Sequence, residues 1–172
     1  GEEYLYCNTG FTLGAIAVKR ITGVSLRDYA DSVFFKPLGM TNTHFHSDHA
    51  EITPNRTSAY SKDDKGIWKI SIPVFDNYGA TSLFTTVEDL AKWDENFYTK
   101  KIGGDAFINL MQTTGELNNK TAQTYASGLI VSNYKGYKTV GHSGADAGYR
   151  RNMIRFPDEH FSIVILANLA GI

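Results

Sequence analysis

The chain has 172 residues, of which 42% are hydrophobic, and this is enough to build the core of one ordinary domain. Seventeen basic and eighteen acidic residues give a net charge of −1, so no electrostatic attraction to nucleic acid or to an anionic membrane is expected. A single cysteine excludes an internal disulfide, and the longest strongly apolar run, Phe161 to Leu169, is too short to span a bilayer.

The beginning of the sequence predicts two helices. Residues Thr9 to Ile21 carry apolar side chains at helical spacing, with Asn8 suited to cap the start and Gly23 to end the helix. Ser25-Leu26-Arg27-Asp28 then has the pattern of a capping box, which opens a second helix. We expect this helix to end before Pro37, because proline has no N–H to donate and its ring clashes with the preceding turn.

The middle of the chain is loop-rich between residues 41 and 76, with short extended pieces and no clear period. A third helix follows Thr86, whose hydroxyl can cap the first turn while Asp89 reaches back toward it. The stripe along this helix is apolar except for one aspartate, and its members are Val87, Leu90, Ala91, Asp94 and Phe97. A shorter helix is expected from Ala106 to Gln112.

After Thr121 the pattern changes to one that predicts strands linked by short turns. The four predicted strands run from Tyr125 to Asn133, Tyr137 to His142, Tyr149 to Phe156 and Phe161 to Asn168. Helices followed by an antiparallel β-meander predict an α+β fold rather than an alternating α/β one. We therefore predict a helical subdomain over residues 1–120, with a loop-rich insertion at 41–80, and the antiparallel strands of a central sheet over 121–172.

Two tripeptides near opposite ends of the chain are the candidates for chemistry. Tyr6-Cys7-Asn8 precedes the first helix, and His142-Ser143-Gly144 begins at the last residue of the second predicted strand. Neither tripeptide is specific alone, because a tyrosine before a helix is more often simple packing and His-Ser-Gly at a strand end is more often a turn. Cys7 is interpreted as a packing residue and His160 as an exposed turn residue.

The surroundings of both tripeptides resemble the serine β-lactamase and penicillin-binding family in order and spacing, over essentially the whole chain. The further matching segments are Ile21-Thr22-Gly23, Ser25-Leu26, Pro37-Leu38-Gly39-Met40, Thr43-His44-Phe45, Asp89-Leu90-Ala91-Lys92-Trp93, Gly148-Tyr149-Arg150 and Arg155-Phe156-Pro157. The resemblance implies a β-lactamase/transpeptidase-like fold and a serine hydrolase that acts on amide or ester bonds through an acyl-enzyme.

The resemblance also implies catalytic roles for three residues. Tyr6 would relay the proton between the serine hydroxyl and the leaving group. Asn8 would hydrogen-bond the lysine of a Ser-x-x-Lys motif and the amide of the substrate. His142 would supply the side chain of the third motif.

Four further residues are implied to bind substrate. Ser143 would offer a hydroxyl contact, Gly144 would leave room for the acyl group, and the N–H of Ala145 would complete an oxyanion hole. Arg150 is a candidate partner for a substrate carboxylate. At most one of Arg150 and Arg151 can serve, because neighbouring strand residues face opposite sides.

Two features depart from the family pattern. Position 142 is histidine where class C β-lactamases usually carry lysine, which looks more like the DD-peptidase, esterase and D-aminopeptidase branches. The Ser-x-x-Lys motif should lie well upstream of Tyr6, yet the chain starts five residues before that tyrosine. We therefore expect this chain to be the C-terminal portion of a larger enzyme and to be inactive alone.

The expected partners are a small peptide, a β-lactam or an ester substrate, with no nucleic acid, no membrane span, no cofactor and no metal. A chain that holds part of a sheet exposes strand edges and apolar surface, so we also expect self-association or pairing with another chain. The resemblance implies an extracytoplasmic location, periplasmic or secreted, while the sequence itself leaves the compartment open.

Two alternative functions and one competing motif remain. A non-catalytic relative would use the same cleft to bind a peptide or a partner protein. A zinc hydrolase would use His44, His46 and His49, which reproduce the metallo-β-lactamase signature His-x-His-x-Asp-His, although neither flank fits that superfamily. Ser132-Asn133-Tyr134-Lys135 satisfies Ser-x-x-Lys literally, but it falls at a predicted hairpin turn rather than at the start of a helix.

Overall fold

The computed structural model describes residues 1–171. In this part of the chain the α-helices are α1 Asn8–Thr22, α2 Leu26–Ala30, α3 Lys36–Leu38, α4 Val87–Thr99 and α5 Gly104–Gln112. The strands are β1 His44–Phe45, β2 Tyr60–Lys62, β3 Trp68–Ile70, β4 Leu83–Phe84, β5 Ile130–Tyr134, β6 Tyr137–Asp146, β7 Tyr149–Phe156 and β8 Phe161–Ala167. No helix of this part is long and apolar enough to cross a membrane.

Helix α1 begins one residue earlier than predicted. Cys7 is the N-cap, with extended backbone angles of φ −143° and ψ 111°, and no side chain caps the helix there. The prediction that Asn8 is the cap is therefore wrong. Gly23 ends the helix as predicted, since its left-handed φ of 80° lets its N–H donate to the Lys19 carbonyl at 3.0 Å.

The second helical segment continues through the proline instead of ending before it. Ser25 caps α2 as predicted, accepting from the Asp28 N–H at 3.0 Å. A π-helical turn, Asp31–Phe35, then joins α2 to α3, which contains Pro37. Because a π turn is wider than an α turn, it gives the proline ring room that an α-helix would lack. Gly39, with φ 71°, ends the segment.

Helix α4 is capped as predicted, but its aspartate has a different role. Thr86 accepts from the Asp89 N–H at 3.2 Å. The Asp89 carboxylate does not reach back to the cap. It is fully buried and accepts from the Asn42 N–H at 2.7 Å, the Thr43 hydroxyl at 2.9 Å and the Lys92 ammonium at 2.8 Å. Asp89 therefore attaches the loop-rich segment to α4.

The four long strands form one antiparallel sheet in the order β5-β6-β7-β8. Strand β6 extends to Asp146, beyond the predicted end at His142. Strand β5 starts at Ile130 rather than Tyr125, because Gly128 has φ 79° and interrupts the extended backbone. The mixed helices and antiparallel strands confirm the α+β fold class, whereas the division at residue 120 stays a prediction.

Helix α4 packs against this sheet through a buried ion pair. Arg155 of β7 is 2% exposed and pairs with Asp94, which also accepts from the Ser162 hydroxyl at 2.8 Å. The guanidinium lies 4.0 Å from the ring centroid of Phe97. Arg155 is opposite the fully buried Val140 of β6, so this contact anchors the strand two residues before His142.

Candidate active site

The fold brings the two tripeptides together. Tyr6 lies directly before the N-cap of α1, and His142 lies on β6. Their ring centroids are 5.9 Å apart, with the planes tilted by 38°. Tyr6 is 54% exposed and His142 is half-buried, so both side chains are accessible to a ligand from solvent. Asn8 is exposed at the first position of α1, two residues after the tyrosine.

Tyr125 is a third aromatic residue of the site that sequence reasoning missed. Its ring centroid is 5.9 Å from that of Tyr6 and 5.8 Å from that of His142. Its hydroxyl lies 3.4 Å from His142 Nε2, which is a long hydrogen bond. Burial raises the pKa of the Tyr125 phenol, and Tyr6 and Tyr4 add to the rise, so the phenol stays protonated at neutral pH and can donate.

The structure brings Arg151, rather than Arg150, to His142. Arg151 is opposite Gly144 in the β6–β7 ladder, and its Nη1 donates to the His142 carbonyl at 2.8 Å. A Cβ atom at position 144 would lie 2.8 Å from Arg151 Nε, so glycine leaves space for this side chain. Desolvation lowers the pKa of Arg151, and the nearby Tyr6 and Tyr125 phenols oppose that change.

Arg150 lies on the other face of β7 and bonds to the hairpin turn. Its Nη1 donates to the carbonyls of Ala147 at 2.8 Å and Tyr149 at 2.7 Å. The contact between Arg150 and a substrate carboxylate is not tested by these hydrogen bonds and stays a prediction. Alternation along β7 shows only that the two arginines face opposite sides, and the β6–β7 register places Arg151 on the face of Gly144 and His142.

The edge of β6 beside the site is not covered by a strand in the described part of the chain. Strand β5 pairs with β6 only as far as Gly141, and residues 142–146 pair with β7 on the other side. Ser143 and Ala145 are both exposed there. A Cβ atom on Gly141 would overlap with the Met153 carbonyl oxygen, so glycine lets β6 and β7 approach just before His142.

The structure separates the histidines of the alternative zinc site. The ligand atoms of His44 and His46 group with Glu51, whereas His49 groups with Asp48 and Asp76. His49 Nδ1 lies 2.8 Å from the Asp76 carboxylate. The set His44, His46 and His49 predicted for a zinc hydrolase is therefore not brought together.

The competing Ser-x-x-Lys sequence is not at a helix start. Ser132 lies on β5, and Lys135 lies in the turn before β6 with φ 51°. The serine and the lysine therefore do not stand one helical turn apart, as the motif requires.

Curated relatives match almost the whole chain. Protein flp of Staphylococcus aureus (strain MRSA252) is 29% identical over 177 residues, which cover 98% of this chain and 34% of that protein. Penicillin-binding protein 4* of Bacillus subtilis (strain 168) is 25% identical over 183 residues, covering 97% of this chain and 40% of that protein. The chain thus spans between a third and two fifths of the length of these relatives.

Solved structures share the fold. The octameric penicillin-binding protein homologue from Pyrococcus abyssi superposes with a TM-score of 0.89 and 26% identity, covering all of this chain and 40% of that chain. The D-stereospecific amidohydrolase from Streptomyces sp. gives a TM-score of 0.80 at 19% identity, covering 96% of this chain and 50% of that chain. At that lower identity the likeness concerns the fold alone.

The family model described as Beta-lactamase matches residues 1–171. This match covers both tripeptides, all helices and all strands of the described structure. It agrees with the penicillin-binding relatives in sequence and with the solved structures in fold. The chain therefore belongs to the Beta-lactamase family.

Proposed function

We propose that the complete protein is a serine hydrolase that cleaves amide or ester bonds through an acyl-enzyme. The observation that carries this proposal is the approach of Tyr6 and His142, 5.9 Å apart, beside the uncovered edge of β6. The proposed substrates are D-amino-acid peptides, cell-wall fragments, β-lactams or small esters. The Streptomyces amidohydrolase and a D-amino acid amidase from Ochrobactrum anthropi among the structural neighbours support this range.

The proposed chemistry begins with attack by a serine from a segment outside this chain. That serine and its lysine would complete the site, since the chain spans only 34% of relatives such as protein flp. Tyr6 relays the proton from the serine hydroxyl to the leaving group, and the His142 ring lies beside the Tyr6 ring. Asn8 hydrogen-bonds the lysine and the substrate amide. Water then hydrolyses the acyl-enzyme.

The uncovered edge of β6 is proposed to hold the acyl group. Gly144 leaves room for the acyl group beside the Arg151 side chain, Ser143 presents its hydroxyl, and the N–H of Ala145 donates to the oxyanion. Arg151, whose Nη1 bonds to His142, adds a fixed positive charge at this edge. An extracytoplasmic location, which the family resemblance implies, is part of the same proposal.

The second candidate is a relative that binds a peptide or protein without cleaving it. It would use the same edge of β6, and it would lack the serine or the lysine of the first motif. The two candidates differ in one measurable property, because only the hydrolase forms a covalent bond to an acylating reagent.

The test measures the intact mass of an N-terminally extended form of the protein after treatment with a fluorophosphonate. One adduct on the extended form and none on residues 1–172 is the expected result. Tyr6→Phe should slow acylation by about 10²–10⁴-fold, the usual contribution of a positioned proton-transfer group, with an unchanged circular dichroism spectrum. Ser132→Ala is the matched control and should keep the adduct.

Failure to form an adduct on a folded extended form would favour the binding relative. A Tyr6→Phe variant that acylates at the rate of the unmodified protein would contradict the role of Tyr6. Loss of the adduct in Ser132→Ala would show that Ser132, a residue of this chain, is the nucleophile.

A further inference from the structure

Two histidines and a glutamate of the loop-rich segment lie close together, and none of them belongs to the site around Tyr6 and His142. His44 Nε2 lies 3.4 Å from His46 Nδ1, and His46 Nδ1 lies 3.7 Å from Glu51 Oε2. One ligand atom from each of the three residues lies within 4.8 Å of the other two. Three donor atoms therefore face one small volume.

The spacing of these atoms fits a shared metal better than direct hydrogen bonds. Hydrogen bonds from N–H groups usually span about 2.7–3.2 Å, so the contact at 3.4 Å is a long hydrogen bond and the one at 3.7 Å lies beyond hydrogen-bond distance. Two ligands of one tetrahedral zinc, each about 2.0–2.2 Å from the metal, lie roughly 3.3–3.6 Å apart. The observed separations of 3.4 and 3.7 Å are close to that range.

The surrounding side chains hold the donors in place. His46 is 4% exposed, and its ring stacks on Phe84 with centroids 4.3 Å apart and planes inclined by 13°. His44 pairs with Phe84 in the β1–β4 ladder, and their ring centroids are 5.4 Å apart, so both histidines contact one side chain. Rings fixed in this way lose little freedom when a ligand binds.

Glu51 is held from the other side by Arg27 of α2. Arg27 Nη1 donates to Oε2 at 2.5 Å, and Nη2 donates to Oε1 at 2.7 Å. A carboxylate oxygen has two lone pairs, so Oε2 can accept from Arg27 and still offer a pair to a cation. Carboxylates that ligate metals are commonly hydrogen-bonded in this way by a neighbouring group.

We propose that His44, His46 and Glu51 bind a divalent transition metal of the zinc(II) class, with water as the fourth ligand. Two imidazoles and a carboxylate are a common zinc donor set. The bound ion would connect β1 to the turn that holds Glu51 and, through Arg27, to α2. This site is independent of the proposed hydrolase activity, because none of its ligands contacts Tyr6 or His142 in the described contacts.

The neighbouring His49 provides a matched control within the same histidine-rich stretch. His49 is exposed, and both its N–H and its Nδ1 bond to the Asp76 carboxylate, at 2.7 and 2.8 Å. A histidine-rich peptide that bound zinc through its sequence alone would use His49 as readily as His44. The proposed site requires His44 and does not require His49.

The test titrates Zn²⁺ into chelator-treated protein, residues 1–172, and measures stoichiometry by calorimetry and thermal unfolding by circular dichroism. One equivalent should bind and should raise Tm, because a metal bound only by the folded state stabilises it. His44→Gln and Glu51→Gln should lose both effects, whereas His49→Gln should keep them. Co²⁺ should give the intense visible absorption of a tetrahedral site in the unmodified protein and not in His44→Gln.

His46→Gln is not the primary variant, because a buried substitution can unfold the protein. His44 is half-buried and Glu51 is partly exposed, so their substitutions test metal binding without replacing a fully buried side chain. Absence of one-equivalent binding to the unmodified protein would overturn the proposal. Binding that survives His44→Gln and disappears in His49→Gln would overturn it as well, since His49 rather than His44 would then be a ligand.

Discussion

The two ring nitrogens of His142 have partners of different kinds. Nδ1 contacts the Ser143 carbonyl oxygen, which can only accept, so Nδ1 carries a proton. Nε2 faces the Tyr125 hydroxyl, which is able to donate. The imidazole thus has a carbonyl oxygen beside one ring nitrogen and a phenol beside the other. At the position where class C β-lactamases use lysine, this chain has an imidazole that contacts both the Ser143 carbonyl and the Tyr125 hydroxyl.

Tyr125→Phe in the extended protein should lower kcat/KM while leaving the ring contacts intact. The lost hydrogen bond is long, so we expect the lower part of the usual range, about 0.5–1 kcal/mol, or about two- to fivefold. The measurement is steady-state hydrolysis of a chromogenic ester. Tyr4→Phe is the control, because Tyr4 contacts Tyr125 through its ring, at 5.6 Å between centroids. Equal losses in both variants would show that packing, rather than the hydroxyl, matters.

Among the residues of the candidate site, the sequence predicted those that belong to a motif better than those that contact the motifs in the fold. The sequence and its family resemblance were enough to single out Tyr6 and His142, and the fold brings them together. Tyr125 belongs to no motif, and its approach depends on Gly128 ending the extended backbone before β5. Arg151 could be chosen over Arg150 only once the β6–β7 register was known. Tertiary pairing, which local patterns do not encode, decided both cases.

Among the helices, α4 connects the four-stranded sheet to the loop-rich segment. It holds the sheet through Asp94 and Arg155, and it holds the loop-rich segment through Asp89. Burial alone would raise the pKa of the Asp89 carboxyl, but bonds from Lys92, Asn42 and Thr43 outweigh it and hold the pKa below its ordinary value. An aspartate with a lowered folded-state pKa stabilises the fold above its unfolded pKa, and this contribution disappears as the pH falls through the folded value.

Asp89→Asn should therefore destabilise the protein most at neutral pH. Loss of the buried, charge-assisted bonds should reduce the free energy of unfolding by about 1–3 kcal/mol. The difference from the unmodified protein should stay constant above about pH 5 and shrink below about pH 4, near the unfolded-state pKa of aspartate. Urea unfolding at pH 3 to 7 measures this. Asp64→Asn, at an exposed position, is the control, and a pH-independent difference for Asp89→Asn would contradict the assignment.

The helices were easier to predict than the strands, for a physical reason. Helix ends depend on local groups such as the Ser25 hydroxyl, the Thr86 hydroxyl and the backbone of Gly23, so the pattern located them. The extent of β6 depends on β7, which pairs with it as far as Asp146. The π-helical turn before Pro37 has no pattern of its own. Non-local pairing and unusual helical geometry are the features that a local period cannot predict.

The whole molecule exposes an apolar sheet edge at β8. Strand β8 pairs with β7 on one side and is the last strand of the sheet in the described structure. Its exposed side chains include Phe161 and Ile165, each 54% exposed, and Ile163 at 43%. An uncovered strand with an apolar face favours pairing with a second copy of the same strand.

Sedimentation velocity of the 172-residue chain should accordingly show a species larger than the monomer that grows with protein concentration. Ile165→Lys should return the chain to a monomer, because a lysine on an edge strand opposes pairing and breaks the apolar face. Ile70→Lys is the matched control, since Ile70 on β3 is 70% exposed and lies outside this sheet. A monomer at all concentrations would refute pairing through β8, and equal effects of both substitutions would indicate general hydrophobic association instead of a defined edge.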